Sequence, residues 1–264
     1  MFGFSRVDVE NAKYISKNAF VDINTNHGEA KDFIDKLSDE NKDLLDSNLI
    51  FINIDAHSDI HINMRHDDMT LANWINFLLL DYKIESFYWA FPKWLLKNKK
   101  ISDDANTIDA GPINPLYSDI SNGQFLKKVY LNHKDYEIIS QEKISRLNKN
   151  CDDFGINRFY EQHLLEEFTL NIIDINKLPN LKNKKIFLSI DADFFSNLDI
   201  RNENYPQLIK KKLLYNRFSS FLKSLKQKEI QPIIITMTYS PEYIDMRDKK
   251  YISDFFNLIS SQKK

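Results

Sequence analysis

The sequence predicts an α/β protein with three layers, in which helices cover both faces of a mainly parallel sheet. Strand-like apolar runs occupy residues 19–23, 49–54, 86–91, 186–190 and 233–237. Helical patterns lie between several of these runs, and alternating strands and helices favour a parallel sheet buried on both faces. We expect one domain over residues 1–264.

Four helices are predicted from periodicity and capping signals. One shows apolar residues at i, i+3, i+4 and i+7, namely Ala30, Phe33, Ile34 and Leu37. Thr70 is the predicted N-cap of the next helix, whose apolar stripe is Leu71, Trp74, Ile75 and Leu78. The last two are expected near residues 206–226 and 251–259. Turn signals interrupt short apolar pieces over residues 101–184, which we interpret as an insertion or a small antiparallel addition.

The composition excludes several classes of function. A net charge of −2 and a pI near 6.3 give no reason to expect nucleic-acid or membrane binding. The single cysteine, Cys151, excludes an intrachain disulfide and a thiolate-rich zinc site. Five glycines cannot form a glycine-rich phosphate loop. Without a signal-like N-terminus or a long apolar window, the protein is expected to be soluble and cytoplasmic, and its oligomeric state stays open.

Two segments lead from an apolar run directly into residues that commonly bind metals. Residues 52–59 read Ile-Asn-Ile-Asp-Ala-His-Ser-Asp, and residues 188–193 read Leu-Ser-Ile-Asp-Ala-Asp. Side chains at i, i+2 and i+4 of an extended chain share one face. We therefore expect Asp55, His57 and Asp59 to converge, and likewise Asp191 and Asp193.

Polar residues follow four predicted strands, at the edge of a parallel sheet where ligands collect. His27 follows the first strand and Glu242 the last, with the two acidic motifs between them. Four clustered carboxylates would repel one another unless cations balanced them. Two divalent cations would balance the four aspartates, and an added bridging hydroxide would leave a slightly negative site that suits a cationic substrate. Oxygen-rich ligands with a minority of imidazole favour manganese over structural zinc.

These motifs resemble the arginase and deacetylase superfamily of ureohydrolases. Residues 55–59 are similar to its Asp-Ala-His-x-Asp motif, and residues 189–193 to its Ser-x-Asp-x-Asp motif. The resemblance implies two Mn²⁺ ions bridged by Asp55 and Asp191. It implies that His27 and Asp59 complete one site, and His57 and Asp193 the other.

Departures from true arginases point to a peptide substrate. Asn24-Thr25-Asn26-His27 replaces the usual Gly-Gly-Asp-His, and Phe194-Phe195-Ser196 stands where Asp-Pro normally follows the second motif. The segment that grips free arginine is not recognisable. Residues 26–30, 88–94 and 240–242 are more similar to the divergent group that includes the peptide arginases of ribosomal-peptide maturation. The resemblance thus implies an arginine-containing precursor peptide, converted to ornithine and urea.

The implied chemistry is hydrolysis of a guanidinium group by a water whose pKa two metals have lowered. By resemblance, Glu242 accepts the N–H groups of the guanidinium. The departing amine needs a proton, for which His66 is the first choice and His61 the second. Two alternatives remain open: a deacetylase-like amidase with one zinc ion, and a peptide-binding protein without catalytic activity.

Overall fold

The protein is an α/β structure with a mainly parallel sheet, as predicted. The computed structural model describes residues 3–45, 48–57, 59–62, 68–70, 73–91, 124–149, 165–196, 210–241 and 244–261. Over these residues the sheet has eight strands: β1 (Phe20–Asn24), β2 (Leu49–Ile54), β3 (Ile84–Phe91), β4 (Gln124–Asn132), β5 (Glu137–Ser140), β6 (Leu165–Asp174), β7 (Ile186–Asp191) and β8 (Ile234–Thr238).

The strand order brings the two acidic motifs together at the centre of the sheet. The order is β1-β8-β7-β2-β3-β6-β4-β5. The first six strands in this order pair in parallel, whereas β4 is antiparallel to both β6 and β5. Because β2 and β7 are neighbours, their carboxyl ends, and the motifs there, lie side by side.

Helices cover both faces of this sheet. Those in the described residues are α1 (Arg6–Ser16), α2 (His27–Glu40), α3 (Lys42–Leu45), α4 (Trp74–Asp81), α5 (Gln141–Lys149), α6 (Lys211–Gln227) and α7 (Lys249–Ser260). Helices α1, α6 and α7 contribute to one apolar core, together with the β2 residues Ile50, Ile52 and Ile54. Helices α2 and α4 pack on the opposite face, in a second core that contains Phe51. The sheet is therefore the middle of three layers.

The central strands are buried on both faces, which explains their continuous apolar runs. Every residue of β2, β7 and β8 is buried. A strand covered on both faces cannot show the polar alternation of a half-exposed strand. The sequence signal there is a short apolar run that ends abruptly in acids.

The prediction for the start of the second helix was wrong. Helix α4 begins at Trp74, and its N-cap is Asn73 rather than Thr70. The Asn73 side chain accepts a hydrogen bond from the Thr70 amide at 2.6 Å and donates to the Asp68 carbonyl at 3.2 Å. Asn73 therefore closes a turn before the helix. Thr70 belongs to this turn, and its polar side chain resembles an N-cap in the sequence.

The middle of the chain contributes to the same sheet. The described parts of residues 101–184 form β4, β5, α5 and β6. Strand β6 pairs in parallel with β3 and antiparallel with β4. It therefore joins the parallel strands of the sheet to the antiparallel pair of β4 and β5. Among the described residues, no helix has the length and apolar character needed to cross a membrane.

Candidate metal centre

The carboxyl end of β2 directs Asp55 into the interior. Its carboxylate accepts hydrogen bonds from the His57 amide at 2.7 Å and from the Asn53 side chain at 3.3 Å. The Asp55 carbonyl accepts a third, at 3.0 Å, from the indole of Trp89 on β3. Asp55 is only 1% exposed, so these contacts fix a carboxylate that water hardly reaches.

The carboxyl end of neighbouring β7 holds the second motif in a similar turn. Asp191 accepts a hydrogen bond from the Asp193 amide at 2.8 Å. Asp193 in turn accepts one from the Ala56 amide at 3.1 Å, which links the two motifs directly. The guanidinium of Arg217 on α6 donates to the carbonyls of Phe195 and Ser196. Arg217 therefore anchors the chain immediately after the acidic residues.

His27 is the first residue of α2, and a capping network fixes it there. The Asn26 side chain accepts a hydrogen bond from the Glu29 amide at 3.1 Å. The Glu29 carboxylate accepts from the Thr25 amide at 2.8 Å and the Thr25 hydroxyl at 2.7 Å. This arrangement is a capping box shifted by one residue, and it sets the direction in which α2 leaves β1.

The first cluster of potential ligands surrounds the Nε2 atom of His27. This atom lies 2.7 Å from Asp191 Oδ2, 3.3 Å from Asp59 Oδ2 and 3.8 Å from Asp55 Oδ2. All four residues are at most 7% exposed. Possible ligand atoms of His27, Asp55 and Asp59 lie within 4.8 Å of one another, a spacing that fits one metal ion.

The second cluster surrounds the Nδ1 atom of His57. This atom lies 2.7 Å from Asp193 Oδ2 and 3.8 Å from Asp55 Oδ1. The two oxygens of the Asp55 carboxylate thus face different histidines, Oδ2 towards His27 and Oδ1 towards His57. A carboxylate placed in this way between two imidazoles has the geometry needed to bridge two metal ions.

Trp74, at the start of α4, contacts two members of the first cluster at once. Its indole N–H donates to Asp59 Oδ2 at 2.8 Å. Its ring stacks on the imidazole of His27, with ring centroids 5.1 Å apart and planes inclined by 9°. Trp74 is fully buried, so it holds His27 and Asp59 in a fixed relation to each other.

Two non-glycine residues in the centre have a left-handed backbone. Asp59 has a φ of 50° and Ser240 a φ of 41°. Such conformations are uncommon outside glycine, although aspartate tolerates them better than most residues. The Ser240 hydroxyl donates to Asp191 Oδ2, the oxygen that also contacts His27. Both unusual conformations thus place a polar group in the first cluster.

Crowding of acids shifts the pKa values of the site without metal. Burial, with the nearby charges of Asp59, Asp193 and Asp191, raises the pKa of Asp55 well above its usual value. Burial and the charge of Asp193 raise the pKa of Asp191 to about 6. Burial also opposes ionisation of Asp193, but the neighbouring His57 holds the pKa of Asp193 below its usual value.

The two histidines compensate part of this negative charge. Burial disfavours their protonated forms, yet the surrounding carboxylates raise the pKa of both His27 and His57 to about 9. The largest opposing influences are the charge of Asp59 at His27 and the charge of Asp193 at His57. Without metal, two imidazolium ions therefore supply the positive charge that bound cations would supply.

We expect the metal-free protein to lose stability as the pH rises from 6.5 to 9. Both histidines have folded-state pKa values near 9, above the ordinary value of 6.5. Their contribution to stability is complete below pH 6.5 and is lost as the pH rises through 9. Thermal melts after chelation test this expectation. In a variant with both His27→Asn and His57→Asn, the melting temperature should depend less on pH. A wild-type melting temperature that stays constant or rises between pH 6.5 and 9 would contradict the expected loss of stability.

The structure brings together the six predicted metal ligands: His27, Asp55, His57, Asp59, Asp191 and Asp193. These buried His and Asp groups can hold metal ions. His66 and Glu242 lie outside the described residues. His61 is described, and Asn76 binds its backbone through hydrogen bonds of 2.9 and 2.7 Å, but neither ligand group includes it.

The sequence interpretation missed the roles of Trp74 and Ser240. The sequence predicts Trp74 only as part of the apolar stripe of a helix, because a hydrogen bond to Asp59, 15 residues away, leaves no local signal. Ser240 lies two residues after β8, at the same edge of the sheet where Asp55 follows β2, and this position was a signal that could have identified it. A comparison with protein-family models gives no match, and a comparison with curated proteins gives no significant match.

Proposed function

We propose that this protein is a dinuclear manganese hydrolase of the ureohydrolase superfamily. Its substrate is the guanidinium group of an arginine side chain in a peptide, and its products are ornithine and urea. The observation that carries the proposal is the Asp55 carboxylate between His27 and His57, with further aspartates completing a cluster on each side.

The donor set fits two divalent cations. Without metal, burial and the neighbouring carboxylates raise the pKa of both Asp55 and Asp191 above the usual value, so the ionised forms need a compensating positive charge. Asp191 and Asp59 lie on the His27 side, and Asp193 lies on the His57 side. Oxygen ligands with a minority of imidazole nitrogen are typical of manganese sites and differ from the thiolate-rich sites of structural zinc.

The residues of the chain would then have three tasks. Asp55 and Asp191 would hold the ions, because turns at the ends of adjacent strands fix both carboxylates. When bound, the ions supply a shared water of lowered pKa as the nucleophile. Glu242 accepts the guanidinium N–H groups, and His66 gives a proton to the departing amine.

The charge of the site favours a cationic substrate. With two divalent ions, the four carboxylates are neutralised, and a hydroxide leaves a slight negative charge. A guanidinium carries one positive charge and planar N–H donors that match a carboxylate. The segment with which arginases bind the amino and carboxylate groups of free arginine is not recognisable in this sequence, which favours an arginine within a peptide as the substrate. The single cysteine fits a reducing compartment, so we place the reaction in the cytoplasm.

Urea release from defined substrates tests the proposal. The manganese-loaded protein is incubated with free arginine and with arginine-containing peptides. We expect urea, and the peptide mass loss that accompanies conversion of arginine to ornithine, from peptides only. Matched peptides with lysine in place of arginine should give neither product. Absence of urea from every arginine substrate would remove the assignment, and urea from free arginine alone would remove the peptide specificity.

The number and identity of the bound metal ions, and the need for Asp59, distinguish the two-metal enzyme from an amidase with one zinc ion. An amidase with one zinc ion needs neither His27 nor Asp59 as a ligand. Loss of activity in Asp59→Asn therefore favours the two-metal enzyme, whereas full activity with one equivalent of zinc favours the amidase.

A further inference from the structure

On one face of the central sheet, the side chains change from apolar to polar to acidic towards the candidate metal centre. Residues of β2, β7 and β8 that pair across the sheet form rows on this face. The first row is apolar and consists of Phe51, Phe187 and Ile234. The next row, which we call the middle row, consists of Asn53, Ser189 and Thr236. The row beyond it contains Asp191 and Thr238, beside Asp55.

The middle row is sealed from solvent and incompletely paired. Asn53, Ser189 and Thr236 are each 0% exposed. Asn53 Oδ1, Ser189 Oγ and Thr236 Oγ1 have no hydrogen-bond partner among the residues that the structure describes. The same holds for Thr238 Oγ1 in the row above. Buried polar atoms in native proteins almost always have a partner, because each unpaired one costs the free energy of a lost hydrogen bond.

We propose that the middle row binds a small cluster of ordered water molecules directly beneath the metal centre. A polar, enclosed site with several unpaired groups is where buried water is found in proteins. Water can accept from the Ser189 and Thr236 hydroxyls and donate to Asn53 Oδ1, whereas a cation offers no acceptor for hydroxyl protons.

The water cluster would help to hold the carboxylates of Asp55 and Asp191 in position. Asn53 donates its amide N–H to Asp55 Oδ2 at 3.3 Å, so the orientation of its amide depends on what binds Oδ1. Ser189 lies two residues before Asp191 on the same strand and face. Waters that join Asn53 to Ser189 would therefore link the residue that supports Asp55 to the strand that carries Asp191. This link to metal affinity rests on the proposed function, whereas the hydration of the row does not.

The experiment removes single hydroxyls with nearly isosteric replacements. In Thr236→Val and Ser189→Ala we expect a lower melting temperature, since the waters lose a partner. We also expect Mn²⁺ affinity to fall about tenfold, as is usual when supporting contacts of metal ligands are lost. Ile235→Val is the matched control, because it alters the opposite face of β8. It should lower the melting temperature and leave Mn²⁺ affinity unchanged.

Two of the following three results would overturn the hydration of the middle row, and the other would overturn its support of the carboxylates. A higher melting temperature in Thr236→Val with unchanged Mn²⁺ affinity would show that the hydroxyl was truly unpaired. A lower melting temperature with unchanged affinity would overturn the support of the carboxylates. Stabilisation of the wild type by potassium chloride over choline chloride at equal ionic strength, if lost in Thr236→Val, would identify a cation instead of water. The melting data decide the hydration even if no urea is released by the wild type.

Discussion

Asp191→Asn is expected to abolish both manganese binding and urea release. Asp191 Oδ2 contacts His27 Nε2 at 2.7 Å and accepts the Ser240 hydroxyl, so the carboxylate is held in one orientation. In the proposed centre it would be a ligand of both ions, so its loss would remove a ligand from each. The amide has nearly the same size but no charge. Binding should therefore fail at both sites, and turnover should fall to the uncatalysed background.

The Asp191 prediction is checked by metal analysis after gel filtration, together with the urea assay. Asp174→Asn is the matched control, because Asp174 is also a buried carboxylate at the carboxyl end of a parallel strand, β6. It should retain both ions. Circular dichroism should show the same fold in both variants. Two bound ions in folded Asp191→Asn would contradict the bridging role.

Trp74→Phe is expected to weaken one metal site and spare the other. The phenyl ring preserves an aromatic surface for His27 but removes the N–H that donates to Asp59 Oδ2 at 2.8 Å. Asp59, in its left-handed conformation, then loses its restraint. Loss of such a supporting contact typically lowers metal affinity by about 10 to 100-fold. The hydrogen bond and the ring contact of Trp74 involve Asp59 and His27, not His57 or Asp193. The Mn²⁺ affinity of the site around His57 and Asp193 should therefore stay unchanged.

Calorimetric titration with Mn²⁺ separates the two sites in the Trp74 variant. We expect one tight and one weakened binding event in place of two tight events. Phe87→Leu is the control, because Phe87 lies in the same apolar core as Trp74. It should lower the melting temperature without changing either affinity. Equal weakening of both sites in Trp74→Phe would show a general loss of packing instead of a local restraint.

The fold class was predictable because its signals are local. Each central strand is a short apolar run, and burial on both faces requires no polar alternation. Helix α2 was predictable from Ala30, Ile34 and Leu37, which face the core. Helix α1 was not predicted, although Ser5 and Asp8 form a capping box at its start. The order of the strands is set by contacts far apart in sequence, so no local pattern could give it.

The site was predictable in part for the same reason. Asp55, His57 and Asp59 lie within five residues of one another and do come together, but not on one face of an extended chain as predicted. Strand β2 ends at Ile54, and Asp59 has a left-handed φ of 50°. The contact of His27 with Asp191 spans 164 residues, and resemblance, rather than periodicity, paired them. The restraint by Trp74 and the middle row of unpaired polar groups depend on strand register and packing. These features appear only when the chain is folded.

The number of manganese ions bound per folded chain is the decisive measurement for a dinuclear centre. The chelated wild-type protein is loaded with excess Mn²⁺, freed of unbound metal by gel filtration and measured by atomic emission. The six-residue centre around Asp55 predicts two ions per chain. One ion or none at saturation, in protein shown to be folded, would contradict it.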